Sequence, residues 1–315
     1  MKGIDPFVHG KKVITRVYNE KNNSRLVRQL RIGRSYGRCT TIDIIGCNML
    51  CSYCWVDTSF LVGQGELLDK EIKQGRIKFY TPEELTEKYL TITNKRGWPA
   101  RIQLTGAEPF LTPLWIMELL RLLKPHLSKL KETIWIDTNG LNITDNPTIM
   151  EGLKKYSDIL RLFVSSKNWP RDYALTTGIE EKHSETGLKC VDLLWQNKIM
   201  SYLQAPLTPF FDPASFEWYF KKLSALHPAA PLFLDLDRMC YLPLNRVPKR
   251  LKRAGLWERR RSEKEVEAKW LEFLGEKYSR KIKRLFSVDS FPDDQYLVKK
   301  HIFGKMPLEK CCLFE

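Results

Sequence analysis

Three cysteines dominate the chemistry that this sequence could support. Cys47, Cys51 and Cys54 form a C-x-x-x-C-x-x-C run within the stretch GCNMLCSYCW, and no fourth cysteine follows nearby. Thiolates are soft ligands that suit iron–sulfur clusters or zinc. A closed structural zinc site would need a fourth ligand, usually from a second C-x-x-C pair. The run therefore indicates a three-ligand site with one open position, and a structural zinc ion or three buried thiols are the alternatives.

The remaining cysteines offer no second ligand pair. They are Cys39, Cys190, Cys240, Cys311 and Cys312, and none of them belongs to another C-x-x-C. Cys190 falls within a helical pattern, where a cysteine most often packs in the core. The histidines are scattered without the spacing of metal ligands. No nearby residue of the chain therefore fills the open position of the run.

Strands and helices in alternation must position the cysteines. An apolar, β-branched run at residues 40–45 predicts a buried strand, and the cysteines follow it directly. Further strand patterns lie at residues 101–105, 133–137, 158–166, 199–207 and 231–237, with helical patterns at 81–92, 113–124, 149–156, 184–196 and 212–226. Thr81, Pro82 and Glu84 have the types and spacing of a capping box.

This alternation limits the fold to two architectures. Six strand–helix units predict a parallel sheet with helices outside it. Six strands are fewer than the eight that close a full barrel, so a partial barrel and an open doubly wound sheet are both compatible with the pattern. In either case, functional loops should lie at the carboxyl ends of the strands.

The two ends of the chain break the alternation. KKVITRVY and RLVRQLRI have strand character around the turn-rich NEKNNS, which predicts a β-hairpin. The hairpin should have a basic side made of Arg25, Arg28, Arg31, Arg34 and Arg38. One long basic helix is predicted from the capping pattern Ser262-x-x-Glu265. We therefore expect an N-terminal hairpin extension at residues 1–38, a core at 39–244 and a basic, mostly helical extension at 245–315.

Composition and charge narrow the class of protein. The chain has 315 residues, of which 43% are hydrophobic, so it can bury a real core. No apolar run reaches the roughly 18 residues of a membrane span. The first residues lack the apolar region of a secretory signal. We therefore expect a cytoplasmic protein with reduced thiols and no membrane partner.

The charge of the chain is positive and uneven. The net charge is +15, and the segment from Arg246 to Arg284 contains 15 basic and 6 acidic residues. Such a surplus favours a polyanionic partner such as RNA, or an acidic protein surface. A solvated, salt-bridged helix face is the alternative.

Three motifs together resemble the radical S-adenosylmethionine (SAM) superfamily. The cysteine run follows the first strand of the core, with Tyr53 before its last cysteine. LTGAEPFL follows the second strand and resembles the family's Gly-Gly-Glu-Pro element, with Ala107 in place of the second glycine. IDTNG follows the third strand and resembles an element of the glycyl-radical-enzyme activating enzymes. The resemblance spans about residues 40–236 and implies a partial (βα)6 radical SAM barrel of the α/β class.

This resemblance implies cofactors and ligands. The three cysteines would hold a [4Fe–4S] cluster whose open iron binds SAM, and one electron would split SAM to a 5′-deoxyadenosyl radical. Glu108 would receive the SAM ammonium, and Lys167 would neutralise the SAM carboxylate. Ser165 stands where the activating enzymes have an aspartate, and Thr177-Gly178 matches their Thr-Gly pair. The cofactor-binding residues implied in this way are Tyr53, Gly106, Ala107, Glu108, Asp137, Asn139, Ser165 and Lys167.

Five of these residues also have a simpler structural interpretation. Glu108 could be a helix-entry acid before Pro109. Asp137 and Asn139 could serve turn chemistry. Lys167 could be an exposed lysine at a strand end. Tyr53 could wall the cluster from solvent without contacting SAM.

The sequence as a whole predicts an enzyme that uses the radical to modify a macromolecule, with RNA such as tRNA slightly ahead of protein. Trp257 and Trp270 lie among basic residues and could offer stacking surfaces for bases. The alternatives are a glycyl-radical activating enzyme that acts on a partner protein and a cluster- or zinc-stabilised RNA-binding module. The enzyme would also need an electron donor of the flavodoxin or ferredoxin type.

The paired cysteines of the tail have three interpretations. In the radical SAM RNA methylases that modify adenine, a cysteine near the C-terminus carries the transferred methyl group, and Cys311 and Cys312 are similar to it in position. They could instead bind a second cluster together with Cys240. Ordinary tail thiols are the default interpretation.

Overall fold

The described part of the protein is built around a nine-stranded sheet. A computed structural model describes residues 3–33, 38–167, 173–205, 213–226, 230–236, 244 and 246–278. The strands are β1 (Tyr18–Asn19), β2 (Ser24–Gly33), β3 (Cys39–Ile44), β4 (Lys78–Tyr80), β5 (Ile102–Thr105), β6 (Ile134–Thr138), β7 (Leu160–Ser165), β8 (Ser201–Ala205) and β9 (Leu234–Leu236). The helices are α1 (Pro6–Val17), α2 (Thr58–Val62), α3 (Glu66–Lys73), α4 (Pro82–Arg96), α5 (Pro113–Leu130), α6 (Leu141–Asp145), α7 (Pro147–Lys154), α8 (Tyr173–Thr177), α9 (Thr186–Gln196), α10 (Pro213–Leu226), α11 (Arg246–Arg253) and α12 (Glu263–Tyr278). The predictions for Arg34, Cys240, Cys311 and Cys312 lie outside the described residues.

Six of the strands are parallel, and they lie side by side in the sheet in the same order as along the chain. Their order in the sheet is β3, β5, β6, β7, β8 and β9, so each crossover reaches the next position in the same direction. Right-handed crossovers that all step one way place their helices on one face, whereas a doubly wound sheet needs a reversal of strand order. The predicted partial (βα)6 barrel is therefore confirmed, and the doubly wound alternative is wrong.

Alternation along these strands separates an apolar layer from a mixed one. Ile42, Leu104, Ile136 and Leu162 stand side by side in register and are fully buried. The residues on either side of them point to the opposite face, because successive side chains of a strand alternate. That face carries polar side chains such as Gln103 together with the aromatic rings of Trp135 and Phe163. The apolar layer forms the core with the helices, and the mixed face lines the interior of the partial barrel.

The helix start at Thr81 follows the predicted capping pattern. Thr81 Oγ1 accepts from the Glu84 N–H at 3.2 Å, and the Thr81 N–H donates to Glu84 Oε2 at 2.9 Å. Both hydrogen bonds of the capping box are therefore present at the start of α4.

Among the helices that can be described, none combines enough length with enough apolar character to cross a bilayer.

The N-terminal hairpin is present, but its first strand is shorter than predicted. β1 pairs with β2 in the antiparallel sense through Tyr18 with Arg25 and Asn19 with Ser24. The strand predicted over residues 11–17 is wrong, because these residues form the end of α1.

A cap and a buried stripe explain why this segment is helical. Asp5 Oδ1 accepts from the Phe7 N–H at 2.8 Å, and Pro6 takes the first helical position. Val13 and Val17, four residues apart, are both fully buried on one side of α1. β-Branched residues favour strands only weakly, and here the cap and the burial of one helix face outweigh that preference.

The predicted basic side of the hairpin is wrong for the arginines of β2. Arg25 is fully buried. Arg28 lies over the Phe60 ring, with its Cζ 5.2 Å from the ring centroid. Arg31 pairs with Asp43 at 2.8 Å. These guanidinium groups contact other side chains instead of forming a free basic surface.

Two helices, rather than one, form the described part of the C-terminal extension. α12 begins beside Ser262, as predicted, but its sequence EKEVEAKWLEFLGEKY has more acidic than basic residues. The positive charge lies on α11, whose sequence is RVPKRLKR, and on residues 259–261. A proline in the first turn is compatible with a helix start, so Pro248 does not prevent α11. The division of the chain at residues 38 and 244 stays a prediction.

The two tryptophans of the extension differ in exposure. Trp270 is 1% exposed and packs against Phe216 and Phe273, with ring centroids 5.4 and 5.6 Å away. Trp257 is half-buried, and Arg260 Cζ lies 3.5 Å from its ring centroid. The stacking surface predicted at Trp270 is therefore wrong, because this residue belongs to the core.

Candidate cofactor site at the carboxyl ends of the parallel strands

The cysteine loop, residues 46–55, begins where β3 ends. Gly46 has a φ of +96°, and a Cβ at this position would lie 2.7 Å from Val17 Cγ2. A side chain there would be strained and would clash, so only glycine lets the loop pack this closely on α1. The N–H groups of Gly46 and Cys47 donate to the carbonyl oxygens of Phe60 and Leu61 at 3.0 and 2.8 Å. The start of the loop is therefore fixed between α1 and α2.

The Thr-Gly pair after the fourth parallel strand holds the other side of the loop. The Leu50 N–H donates to the Thr177 carbonyl at 3.0 Å, and the Ser52 N–H donates to the Thr176 carbonyl at 2.8 Å. Gly178 has a φ of +75°, and a Cβ on it would lie 3.1 Å from Leu50 Cβ. The cysteine loop is thus hydrogen-bonded along its backbone from two directions.

The three thiols lie in a largely buried environment. Cys51 is 6% exposed, and the Met49 N–H lies 3.4 Å from Cys47 Sγ. Burial and the neighbouring Cys51 raise the pKa of Cys47 well above its usual range, and the same two causes raise the pKa of Cys54 to about 11. Such thiols stay protonated at neutral pH unless a metal displaces the proton.

The donor set fits a cluster better than a single ion. Within the described residues, no three His, Cys, Asp or Glu side chains are arranged to hold one metal ion. In a [4Fe–4S] cluster each cysteine binds a different iron, so the sulfur atoms need not converge on one point. One loop supplies three thiols here, and a backbone N–H faces one of the sulfurs, a contact that tunes iron–sulfur centres. Cys47, Cys51 and Cys54 could therefore hold such a cluster.

Glu108 joins the loops that follow β3, β5 and β6. It is 2% exposed. Its Oε1 accepts from the Phe110 N–H at 3.1 Å and the Thr138 hydroxyl at 2.7 Å, and its Oε2 accepts from the Asn139 N–H at 2.7 Å. Its own N–H donates to the Gly46 carbonyl at 3.0 Å. Burial raises the pKa of Glu108, while these hydrogen bonds to its carboxylate oppose that shift.

The GAEP loop, residues 106–109, has one glycine where the Gly-Gly-Glu-Pro element has two, and the structure explains this difference. Gly106 has a φ of +99°, and a Cβ on it would lie 2.9 Å from the Ile44 carbonyl oxygen. Ala107 is half-buried and is not among the described residues with positive φ. A methyl group is therefore tolerated at position 107, whereas position 106 requires glycine.

The DTNG loop, residues 137–140, contacts the cysteine loop through two asparagines. Asn139 Nδ2 donates to Asn48 Oδ1 at 2.7 Å, and Asn139 Oδ1 accepts from the Leu141 N–H at 3.1 Å. Asn48 is fully buried. Sequence analysis missed Asn48, although an amide inside the otherwise apolar stretch between two cysteines is a signal for a buried hydrogen bond.

Asp137 lies apart from Glu108, on the interior side of the partial barrel. Its Oδ2 accepts from Gln103 Nε2 at 3.0 Å, and its Oδ1 has no hydrogen-bond partner among the described residues. Burial raises the pKa of Asp137 to about 6, with a further upward contribution from Asp43. The structure therefore does not bring this predicted residue into the network around Glu108.

We expect Asp137→Asn to flatten part of the pH dependence of folding. A carboxyl whose pKa rises from about 4 in the unfolded chain to about 6 in the folded protein binds more protons when folded, so stability falls as pH rises between those values. The asparagine cannot titrate. The variant should thus gain about 1–3 kcal/mol on the wild type between pH 4 and pH 7.

Urea unfolding of the cofactor-free protein at several pH values measures this gain. The matched control is Asp69→Asn, an exposed position on α3 that should stay within ~0.5 kcal/mol of the wild type throughout. A constant difference between Asp137→Asn and the wild type from pH 4 to 7 would contradict the assignment.

The other predicted residues surround the thiols at different distances. Lys167 follows β7, and its ammonium partly opposes the rise that burial causes in the pKa of Cys47, Cys54 and Glu108. Within the described residues it has no ion-pair partner. Ser165 ends β7 in register with Gln204. This places a free cation near both the cysteine loop and Glu108.

Tyr53 lies inside the cysteine loop. It is 8% exposed, and Cys51 and Tyr173 are close enough to raise its pKa beyond the effect of burial. Its ring therefore forms part of the wall between the thiols and solvent.

Two arginines of the flanking regions also reach the cysteine loop. Arg25 of β2 donates to the carbonyl oxygens of Glu108 and Ile45 at 2.7 and 3.1 Å. Arg250 of α11 donates to the Cys54 carbonyl and, at 3.1 Å, to the Val56 carbonyl. Sequence analysis gave neither residue a place in the site, because nothing local distinguishes them from the other arginines.

Comparison with known proteins agrees with this geometry. Residues 41–194 match the sequence profile of the radical SAM superfamily. The match includes the cysteine, GAEP and DTNG loops. A search of curated proteins gave no match. Residues 41–194 therefore form a radical SAM domain, which indicates an enzyme.

Proposed function

We propose that Cys47, Cys51 and Cys54 hold a [4Fe–4S] cluster and that the loops after β3, β5, β6 and β7 bind SAM. The observation that carries this proposal is the meeting of three loops, in which the Glu108 N–H bonds to Gly46 and its carboxylate bonds to the DTNG loop. When bound, the cluster supplies the electron that cleaves SAM to a 5′-deoxyadenosyl radical.

The polar groups around the loops suit the two charged ends of SAM. A carboxylate has about four lone-pair positions, and Glu108 uses three of them within the protein. The remaining one can accept from the SAM ammonium. Lys167, which has no ion-pair partner among the described residues, can neutralise the SAM carboxylate. Gly106, Ala107 and Asn139 would shape the backbone around this group, while roles for Asp137, Ser165 and Tyr53 in binding SAM stay predictions.

Anaerobic reconstitution tests this proposal. The purified protein would be loaded with iron and sulfide and then mixed with SAM and dithionite. We expect a brown iron–sulfur absorbance and release of 5′-deoxyadenosine. The control is the same protein without added iron and sulfide. A protein that binds one zinc ion and forms no 5′-deoxyadenosine would disprove it.

For the substrate, we propose RNA, because a helix anchored to the cysteine loop carries exposed basic residues that form no ion pair with the described carboxylates. Arg250 anchors α11 to that loop, and Arg246 pairs with Asp57 at 3.6 Å. On the same helix Lys249, Lys252 and Arg253 are exposed. A salt-bridged helix face would pair them with acids, but no carboxylate of the described residues does so. Lys252 Nζ also lies 5.5 Å from the Trp257 ring centroid, a contact that leaves its charge unneutralised. Exposed cations of this kind favour a phosphate backbone.

We expect reversal of these three charges to weaken tRNA binding at least about tenfold at 50 mM salt. Each lost phosphate contact should also lower the salt slope of the binding constant by about one. The variant is Lys249→Glu, Lys252→Glu and Arg253→Glu combined. Filter binding across a salt series measures both effects.

The matched control reverses three exposed lysines on helices α4, α5 and α9, namely Lys95, Lys129 and Lys189. Its affinity for tRNA should fall less than that of the α11 variant. Equal losses in the two variants would show that only net charge matters. Wild-type binding that ignores salt would contradict an RNA substrate, and co-purification with a glycyl-radical protein would favour the activating-enzyme alternative.

Reduction of the cluster requires a low-potential donor, for which we propose a flavodoxin- or ferredoxin-type protein. A cytoplasmic location, where thiols stay reduced, suits the free thiols of the cysteine loop. A reconstituted enzyme that turns over with such a donor in place of dithionite would support both points.

A further inference from the structure

Arg25 is a fully buried arginine whose guanidinium group lies between two loops of the candidate site. Its Nη1 donates to the Pro109 carbonyl at 2.6 Å and to Thr112 Oγ1 at 2.8 Å. Its Nη2 donates to the carbonyls of Glu108, Ile45 and Gly46 at 2.7, 3.1 and 3.4 Å. These contacts connect the end of β3 and the start of the cysteine loop with the GAEP loop.

The charge of Arg25 is not balanced by an ion pair. No carboxylate in the described part of the chain lies within ion-pair distance of it, and its Nε has no hydrogen-bond partner there. Burial lowers the pKa of Arg25 only to about 10, so the group stays charged at neutral pH. Carbonyl dipoles solvate such a cation, but a buried unpaired charge remains costly.

The groups that could balance this charge belong to the site itself. The Glu108 carboxylate is near enough to attract Arg25, and Cys47 is near enough to attract it as a thiolate. The thiol of Cys47 is neutral until a metal displaces its proton. Once the three cysteines bind iron as thiolates, negative charge accumulates beside a guanidinium that is already in place.

We propose that Arg25 is a positioning residue that fixes the cysteine loop against the GAEP loop and supplies the buried positive charge that balances the metal-bound thiolates. This inference rests on the proposed function, because it needs a cluster. A buried cation beside a cluster stabilises the reduced state, which carries one more negative charge, and so raises the reduction potential.

Two variants separate the charge of Arg25 from its hydrogen-bonding fork. Arg25→Met removes both, and Arg25→Lys keeps the charge but cannot bridge five acceptors. The measurement is a redox titration of the reconstituted protein followed by electron paramagnetic resonance, together with the rate of SAM cleavage. In Arg25→Met, the ratio of reduced to oxidised cluster at the wild-type midpoint should fall at least about tenfold, which is ~59 mV for a one-electron couple.

In Arg25→Lys, that ratio should stay within about threefold of the wild type, because the charge is retained. SAM cleavage should nevertheless slow at least about tenfold, because the loops lose their common anchor. The matched control is Arg28→Met on the same strand, a half-buried arginine over the Phe60 ring. This control removes the same charge and should change the ratio less than threefold, since solvent screens it.

The outcomes distinguish this inference from the proposed function. A wild-type protein that takes up no cluster disproves the proposed function. A full iron load with an unchanged midpoint in Arg25→Met overturns the role of Arg25 alone. Should Arg25→Met fail to fold, Arg25→Lys decides, and either a tenfold shift of the ratio or an unchanged cleavage rate overturns the inference.

Discussion

Cys51→Ala is expected to abolish both the brown absorbance and the cleavage of SAM. Cys51 is the central member of the run and lies between Cys47 and Cys54 on a loop whose backbone is held from two sides. With two thiolates left, no other cysteine is placed to replace the third, because Cys39 lies at the far end of β3 and the remaining cysteines lie far along the sequence. The iron content and 5′-deoxyadenosine yield after reconstitution should fall to the level of the unreconstituted protein.

The control for this prediction is Cys39→Ala. Cys39 is also a buried cysteine, but it begins β3, at the opposite end of the strand from the cysteine loop. Its Sγ lies near Thr41 Oγ1 and Gln103 Oε1. The control should load iron as the wild type does. A full iron load in Cys51→Ala would show that the loop is not the cluster site.

Glu108→Ala is expected to weaken SAM binding and to destabilise the protein as well. Loss of a charged hydrogen bond to the ammonium should reduce SAM affinity by ~1.5–3 kcal/mol. The same change leaves the N–H groups of Phe110 and Asn139 and the Thr138 hydroxyl without an acceptor. Unsatisfied buried donors cost about 1–3 kcal/mol each, so the loss of an acceptor for three of them should lower the free energy of unfolding by at least about 3 kcal/mol.

The two effects of Glu108 are separable. SAM affinity is measured by calorimetry on the reconstituted protein, well below its melting temperature, and stability by urea unfolding of the cofactor-free form. Glu118→Ala, which removes a surface ion pair with Arg121, is the control and should cost less than ~1 kcal/mol in stability. Normal SAM affinity in a destabilised Glu108→Ala would leave Glu108 with a purely structural role.

The parallel part of the fold could be predicted because its signals are local. The run before the cysteines has the apolar, β-branched character of a buried strand, and β3 forms there. The capping box at Thr81 specifies a helix start within four residues. The positions of the cysteine, GAEP and DTNG loops follow from the same alternation, since the carboxyl ends of parallel strands meet at one edge.

The rest of the site depends on contacts between residues far apart in sequence. Arg25 and Glu108 are separated by more than eighty residues, as are Asn48 and Asn139. Their neighbours in sequence carry no sign of these contacts. The stacking surface predicted at Trp270 was wrong for the same reason. The burial of Trp270 depends on an aromatic ring of α10, and no sequence pattern around Trp270 reveals this contact.

The helical identity of residues 11–17 could have been recognised. Asp5 followed by Pro6 is an N-cap signal, and Val13 and Val17 have helical spacing. β-Branched composition outweighed these signals in the prediction. A capping residue with a proline after it is therefore the stronger local indicator in this segment.

The packing of α1 on the start of the cysteine loop determines how short a fragment of the chain can be and still hold this loop in place. The shared superfamily region begins at residue 41, yet Gly46 lies against Val17 and Val13, which precede that boundary. β2 also adds its hydrogen bonds to the open edge of β3. The matched region and the packed unit thus have different borders in this chain, and a fragment meant to work on its own must start at the first helix rather than at β3.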